Sequence, residues 1–348
     1  MSHEVIALIR RKCKSLVRIA ATVLVACGHR LLDLLGLGKN GANLHAASQT
    51  MIISSTLRQL DGMTTMSERA YLYWYAKCIY GGKGSIVDLG CWLGSTTIAM
   101  AMGLGGNHRL ADNRLIYSYD EFIWRSYMDS RAKGTVLEGK YSPGDSFLDE
   151  FERRVSPWRQ YVKPCPGDLA KVGWCGAPIE FLLIDAMKSW AAATGVVQKF
   201  FPALMPGVSL ILHQDFAHWF TAWIHPIHYR FRQYFEPVYD VPSSGSMVFQ
   251  LAREIPPELM QQEWSPGQFS DQEVDAAFAY SLDIVRPEKR ANIVAAKAMY
   301  FVYSTKLDRA KQEIEDAHAR GYRFDSDLAF AARRIDEELA RLSGSGAK

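Results

Sequence analysis

Between residues 61 and 255, short apolar runs alternate with stretches of helical length, and no other feature of the 348-residue sequence restricts its fold as strongly. The runs fall at 85–89, 115–119, 160–163, 181–184 and 208–212, the third being the weakest. Their apolar character is continuous rather than alternating, as in strands covered on both faces. The pattern therefore implies a parallel sheet with helices packed on each side. A helix over 191–204 and the breaker Pro206-Gly207 introduce the fifth run. Two further strands, 237–241 and 246–251, flank the turn Ser243-Ser244-Gly245 and predict a closing β-hairpin.

The first run ends on Asp88-Leu89, and Gly90-Cys91-Trp92-Leu93-Gly94 and the hydroxyl residues Ser95-Thr96-Thr97 follow. Gly90 permits a tight turn off the strand and Gly94 opens the next helix, so the backbone can approach a ligand closely. The free amides of that helix start favour a carboxylate, with Ser95 and Thr96 beside them. Asp88 is placed to take an ammonium group, directly or through water. The Gly-x-x-x-Gly spacing differs from the Gly-x-Gly-x-x-Gly turn that cradles a dinucleotide's pyrophosphate. In folds of this kind the second strand ends in an acid that holds both ribose hydroxyls. Asp120 follows the second apolar run directly and is chosen over Glu121, which reads as a solvated loop carboxylate. After the third strand, Pro166-Gly167-Asp168 puts Asp168 where such enzymes contact the adenine amino group, an Asx-type turn being its competing role. A carboxylate, an amine and a ribose match S-adenosylmethionine. The expected cofactor-binding set is Asp88, Gly90, Gly94, Ser95, Thr96, Asp120 and Asp168.

Three pieces of the chain together resemble the macrocin/mycinamicin-type O-methyltransferases and the related cephalosporin-hydroxylase-like proteins. They are Met66-Ser67-Glu68 ahead of a helix with residues 86–97; Ile179-Glu180-Phe181-Leu182-Leu183-Ile184-Asp185-Ala186; and Phe201-Pro202-Ala203-Leu204-Met205-Pro206-Gly207 through His213-Gln214-Asp215-Phe216. The resemblance covers about residues 60–255. It implies an α/β chain with the Rossmann-like class I methyltransferase fold, a mostly parallel seven-stranded sheet ending in a β-hairpin. It also implies methyl transfer from S-adenosylmethionine to a hydroxyl of a sugar, glycan precursor or natural product.

The same family places acids for a divalent metal at the ends of the fourth and fifth strands, where Asp185 and Asp215 stand. Mg²⁺ held there would polarise the acceptor hydroxyl and lower its pKa. The chain departs from the family pattern, because Ala186-Met187 follow Asp185 and Gln214 precedes Asp215. The metal-free alternative makes His213 the base, since a neutral imidazole takes a hydroxyl proton near pH 7. Both routes stay open, with Asp185, His213 and Asp215 as the candidate catalytic residues. Lys188, one helical turn past Asp185, is expected to salt-bridge a carboxylate. His218, His225 and His228 lie among Trp219, Phe220, Trp223 and Tyr229 and read as a substrate wall or an interface.

The chain divides into a basic helical leader over 1–60, the cofactor domain over 61–255 and a helical extension over 256–348. The first forty residues carry an excess of five positive charges, but their apolar stretch is too short to span a bilayer. A basic amphipathic helix is expected there, packed on the domain or a partner subunit, or in peripheral contact with an anionic membrane. A long insertion over 122–158, with Trp124, Tyr127, Tyr141 and Phe147, is expected to form a lid or acceptor cap. The extension should hold helices at 271–283, 287–304, 306–320 and 326–342, with Gly321 capping the third, and serve as a scaffold or in a homo-oligomer. A net charge of +3 argues against nucleic acid as a partner, and six scattered cysteines without CxxC spacing suit a reduced, cytoplasmic protein. Two alternatives to the methyltransferase are a non-catalytic cofactor-fold protein serving in assembly or glycan binding, and an NAD-dependent oxidoreductase, which the glycine spacing and the hairpin disfavour.

Overall fold

The structure is a computed structural model and describes residues 41–110, 115–174, 176–324 and 326–345. The basic helix expected in the first forty residues, with its membrane contact, lies outside the described residues. The chain enters through α1 (Gly41–Ala46) and α2 (Met66–Trp74), and then alternates β1 (Ser85–Leu89), α3 (Ser95–Gly105) and β2 (Ile116–Asp120). The insertion contributes α4 (Ser126–Ala132) and α5 (Leu148–Val155) before β3 (Val162–Pro166). There follow β4 (Ile179–Ile184), α6 (Trp190–Phe200), β5 (Leu210–His213), α7 (Ile224–Phe231), and the pair β6 (Phe235–Asp240) and β7 (Met247–Leu251). The extension holds α8 (Asp271–Ile284), α9 (Arg290–Tyr303), α10 (Leu307–Ala319) and α11 (Ser326–Ser345).

The strands form one seven-stranded sheet in the order β3-β2-β1-β4-β5-β7-β6. The first five are parallel, and β7 pairs antiparallel with both β5 and β6. A last strand slotted between the fifth and sixth is the class I methyltransferase arrangement. The weak apolar signal of β3 has a physical cause. It is an edge strand in which Pro164 and Pro166 face Ser118 and Asp120, and an edge tolerates residues that cannot donate to the ladder.

The two faces of the sheet are sorted by the strand period of two. Ile86, Phe181, Leu183, Leu210 and Leu212 point to the face covered by α2, α3 and the insertion. Val87, Leu182, Ile184 and Ile211 point to the face covered by α6, α7 and the extension. Phe122, Trp124, Phe147 and Phe151 of the insertion are all 1% exposed or less and join the first core. Phe278, Ile293 and Phe301 of the extension join the second. The insertion and the extension are therefore continuous with the sheet's core. Among the described residues no helix is long and apolar enough to cross a membrane.

Candidate active site

The turn from β1 to α3 is held from behind. Asp88 is completely buried, and its Oδ2 accepts hydrogen bonds from the hydroxyls of Thr96 (2.8 Å) and Thr97 (2.6 Å). Its Oδ1 has no partner. Gly90 and Gly94 adopt the left-handed backbone (φ 87° and 85°) that favours glycine. A Cβ on Gly90 would stand 2.6 Å from the Asp185 carbonyl oxygen, so this glycine lets the turn pass beside the end of β4. Gly94 caps α3 without any side-chain hydrogen bond, which leaves the first-turn amides free of a side-chain partner. Ser95 Oγ is instead engaged by Thr64 Oγ1 at 3.1 Å.

Asp120 ends β2 with its carboxylate fixed by two amides, Trp92 N–H on Oδ2 (2.9 Å) and Phe122 N–H on Oδ1 (2.8 Å). Both donors are non-glycine residues with left-handed backbone, φ 42° and 52°. Such backbone costs of order 1–3 kcal/mol per residue, and here each strained residue aims its amide at the same carboxylate. Asp168 lies further out. Its Oδ1 accepts from Ala170 N–H (2.9 Å) and Oδ2 pairs with Lys171 (3.2 Å), the Asx-type turn foreseen as its competing role.

Three carboxylates thus meet around one glycine turn. Burial pushes the Asp88 carboxyl up to about 7, the two threonine hydroxyls oppose this, and the charges of Asp185 and Asp120 add to it. Burial also raises Asp120; its two amides oppose that, and the charges of Asp185 and Glu121 add to the rise. A cation entering this groove would relieve the repulsion, and an anion would worsen it.

At the ends of β4 and β5, Lys188 bridges the two expected metal acids, 2.7 Å from Asp185 Oδ1 and in contact with Asp215 Oδ2. The salt bridge expected of Lys188 is present, to both acids at once. This arrangement does not fit Mg²⁺. One ammonium already links both carboxylates, Ala186 and Gln214 add no acid, and no group of three or more metal-ligating side chains occurs among the described residues.

His213 is not placed as a base. It follows Ile211 on the sheet face away from α3, is 3% exposed, and lies beside a small void lined by Met187, Ile224 and Phe231. Its Nδ1 has no partner, and burial lowers its pKa to about 3. His225 and His228 are buried on the same face, His225 against Ser281 of α8 (2.9 Å), so neither forms a substrate wall. Trp124 and Phe147 of the insertion also face the core rather than an acceptor, and Trp124 stacks on Tyr141 (5.2 Å).

No family model matches the chain, and no curated protein matches it. Among solved structures, the O-methyltransferase NovP is 16% identical, with a TM-score of 0.44, covering 56% of this chain and 84% of its own. Coclaurine N-methyltransferase bound to N-methylheliamine and SAH is also 16% identical, with a TM-score of 0.28, covering 84% of this chain and 86% of its own. The fold assignment rests on strand order and register, not on these likenesses.

Three residues beside the glycine turn were not singled out from the sequence: Gly62, Trp92 and Arg131. They line a cleft of about 420 Å³ beside the glycine turn. Trp92 stood inside the glycine motif and so carried a signal. Gly62 and Arg131 carried none, because only the fold brings them there, Gly62 against Ser95 of α3 and Arg131 on the insertion.

Proposed function

We propose that the chain is an S-adenosylmethionine-dependent methyltransferase acting on an acceptor hydroxyl. The observation that carries this reading is the convergence of Asp88, Asp120 and Asp185 on the turn Gly90–Gly94 in a sheet of methyltransferase order. A groove of mutually repelling carboxylates suits a cofactor with a sulfonium and an ammonium. It is unsuited to the anionic pyrophosphate of a nicotinamide dinucleotide.

Bound S-adenosylmethionine supplies an electrophilic methyl group. The chain's residues would then act as follows. The free amides at the start of α3 take the carboxylate end and Asp120 accepts from the ribose hydroxyls, while Asp88, buried behind the turn, holds the turn's shape through Thr96 and Thr97. Asp168 remains the candidate contact to the adenine edge. Asp185, Lys188 and Asp215 form the proton-handling group: a carboxylate takes the hydroxyl proton while the Lys188 ammonium steadies the developing alkoxide. Positioning of acceptor against methyl does the rest.

Calorimetry of the full chain tests this. S-adenosylmethionine should bind and NADH should not, and Asp120→Asn should weaken binding by roughly tenfold or more, since it loses a charge-assisted hydrogen bond. No binding by the intact protein would sink the reading.

A further inference from the structure

The cleft beside the glycine turn is a built cavity. Segment 60–63 forms one wall, Trp92 and Leu93 the back, and α4 with the residues that follow it the other wall. Segment 60–63 is pinned on α3, because a Cβ on Gly62 would stand 2.4 Å from Ser95 Oγ. Arg154 also holds Asp61 at 3.0 Å. The volume of about 420 Å³ lies within the usual span of small-ligand sites.

The chemistry of this cavity is uneven. Asp61 is neutralised by Arg154, whereas the guanidinium of Arg131 makes no ion pair among the described residues. The buried indole Nε1 of Trp92 is a donor with no partner. Three of the five large apolar side chains left exposed among the described residues lie on the same segments. Met63 lines the cavity, Val136 sits between two lining residues, and Tyr127 lies one helical turn before Arg131. The cleft thus presents one cation with no ion pair among the described residues inside an apolar rim, with the Trp92 indole donor buried in its back wall. Trp124 and Phe147 of the insertion lie in the core and take no part in this cleft.

We propose that this cleft receives the methyl acceptor and selects one bearing an anionic group, carboxylate or phosphate, on an apolar body, with Arg131 as the specificity-determining residue. This rests on the methyltransferase reading. The cofactor groove is negative and the acceptor cleft positive, with Trp92 between them, so the two ligands sort themselves by charge.

The test is calorimetry on the full chain saturated with S-adenosylhomocysteine. The probes are 4-hydroxybenzoate, phenyl phosphate and the neutral methyl 4-hydroxybenzoate. At least one anion should bind roughly tenfold more tightly than the ester, and which one does separates carboxylate from phosphate as the recognised group. Arg131→Ala should abolish that preference, Arg131→Lys should keep part of it, and neither should change S-adenosylhomocysteine affinity. Equal binding of acid and ester, no binding of either anion at millimolar concentration, or a preference that survives Arg131→Ala would each overturn the proposal. Failure of S-adenosylhomocysteine to bind would instead overturn the methyltransferase reading, and the same titrations without it still test the cleft.

Discussion

Acidification from pH 7.5 to pH 5 should strip this protein of much of its stability through histidines that its sheet buries as neutral groups. Burial lowers His213 and His225 to about 3, with His213 also lowering His225. His228 shifts the same way, from burial and the two neighbouring imidazoles, and His45 falls to about 4 by burial alone. In the unfolded chain each titrates near 6.5, so below that pH the unfolded state binds protons that the folded state refuses. Stability is therefore complete above pH 6.5 and falls as pH drops towards the folded values. At pH 5 each of His213 and His225 has lost 1.5 pH units of differential protonation, about 2 kcal/mol apiece and about 4 kcal/mol together. A typical domain has only about 5–15 kcal/mol in total, so the urea midpoint should drop sharply between pH 7.5 and pH 5. His213→Leu isolates the cause. Its neighbours Met187, Phe201, Ile224 and Phe231 are apolar, His228 lies 5.7 Å away ring to ring, and the substitution removes a buried nitrogen with no partner among the described residues. The variant should match the wild type at pH 7.5 within about 1 kcal/mol and lose about 2 kcal/mol less on acidification. A loss equal to the wild type's would refute the argument. The same variant should keep its methyl transfer rate, whereas removal of a true base would cost roughly 10²–10⁴-fold.

Lys188→Met leaves Asp185 and Asp215 without their shared cation. Turnover should fall about 10²-fold with cofactor affinity little changed, and a chelator should leave wild-type turnover intact. Gly90→Ala puts a Cβ on the Asp185 carbonyl oxygen at a left-handed φ, and urea titration should show a loss of about 2–4 kcal/mol. Gly94→Ala meets side chains instead of backbone, the Phe151 ring edge at 3.1 Å and Val155 Cγ1 at 3.3 Å, and should cost less, about 1–2 kcal/mol. Asp240→Asn breaks the buried pair with Lys289, whose ammonium also donates to the Val241 and Ser246 carbonyls, and should cost about 3–5 kcal/mol.

The fold was readable because burial on both faces leaves an unbroken apolar run, and glycine or proline punctuates each end. β1 lies at 85–89 as expected, and β5 and β7 differ from expectation by two residues or fewer at either end. β3 moved most, to Val162–Pro166, because an edge strand needs neither the apolar run nor the amides that proline lacks. Trp124 and Phe147 of the insertion turn to the core for a related reason. Aromatics in a long connection read alike whether they face a ligand or the core, and Phe122 and Phe147 settle into an edge-to-face pair at 5.7 Å beneath the sheet's rim.

Site residues divide by whether their role depends on the main chain or on direction. Gly90, Gly94 and Asp120 could be placed from sequence, since a turn at a strand end fixes where they must be. His213 could not be placed by its position at a strand end alone. The period of two puts it on the face of Ile211, and that face is known to be closed only once α7 and α8 are seen to cover it. The same parity puts Asp88 behind the turn, against Thr96 and Thr97, instead of in front of it. What remains at the open rim is a charge pattern rather than a motif: carboxylates around the glycine turn, an ammonium between Asp185 and Asp215, and, across Trp92, Arg131 with no ion pair among the described residues. That pattern comes from separate stretches of the chain, so no local stretch of sequence contains it. It nevertheless narrows the chemistry more than any single residue does, because a cationic cofactor and an anionic acceptor are the pair of ligands whose charges it complements.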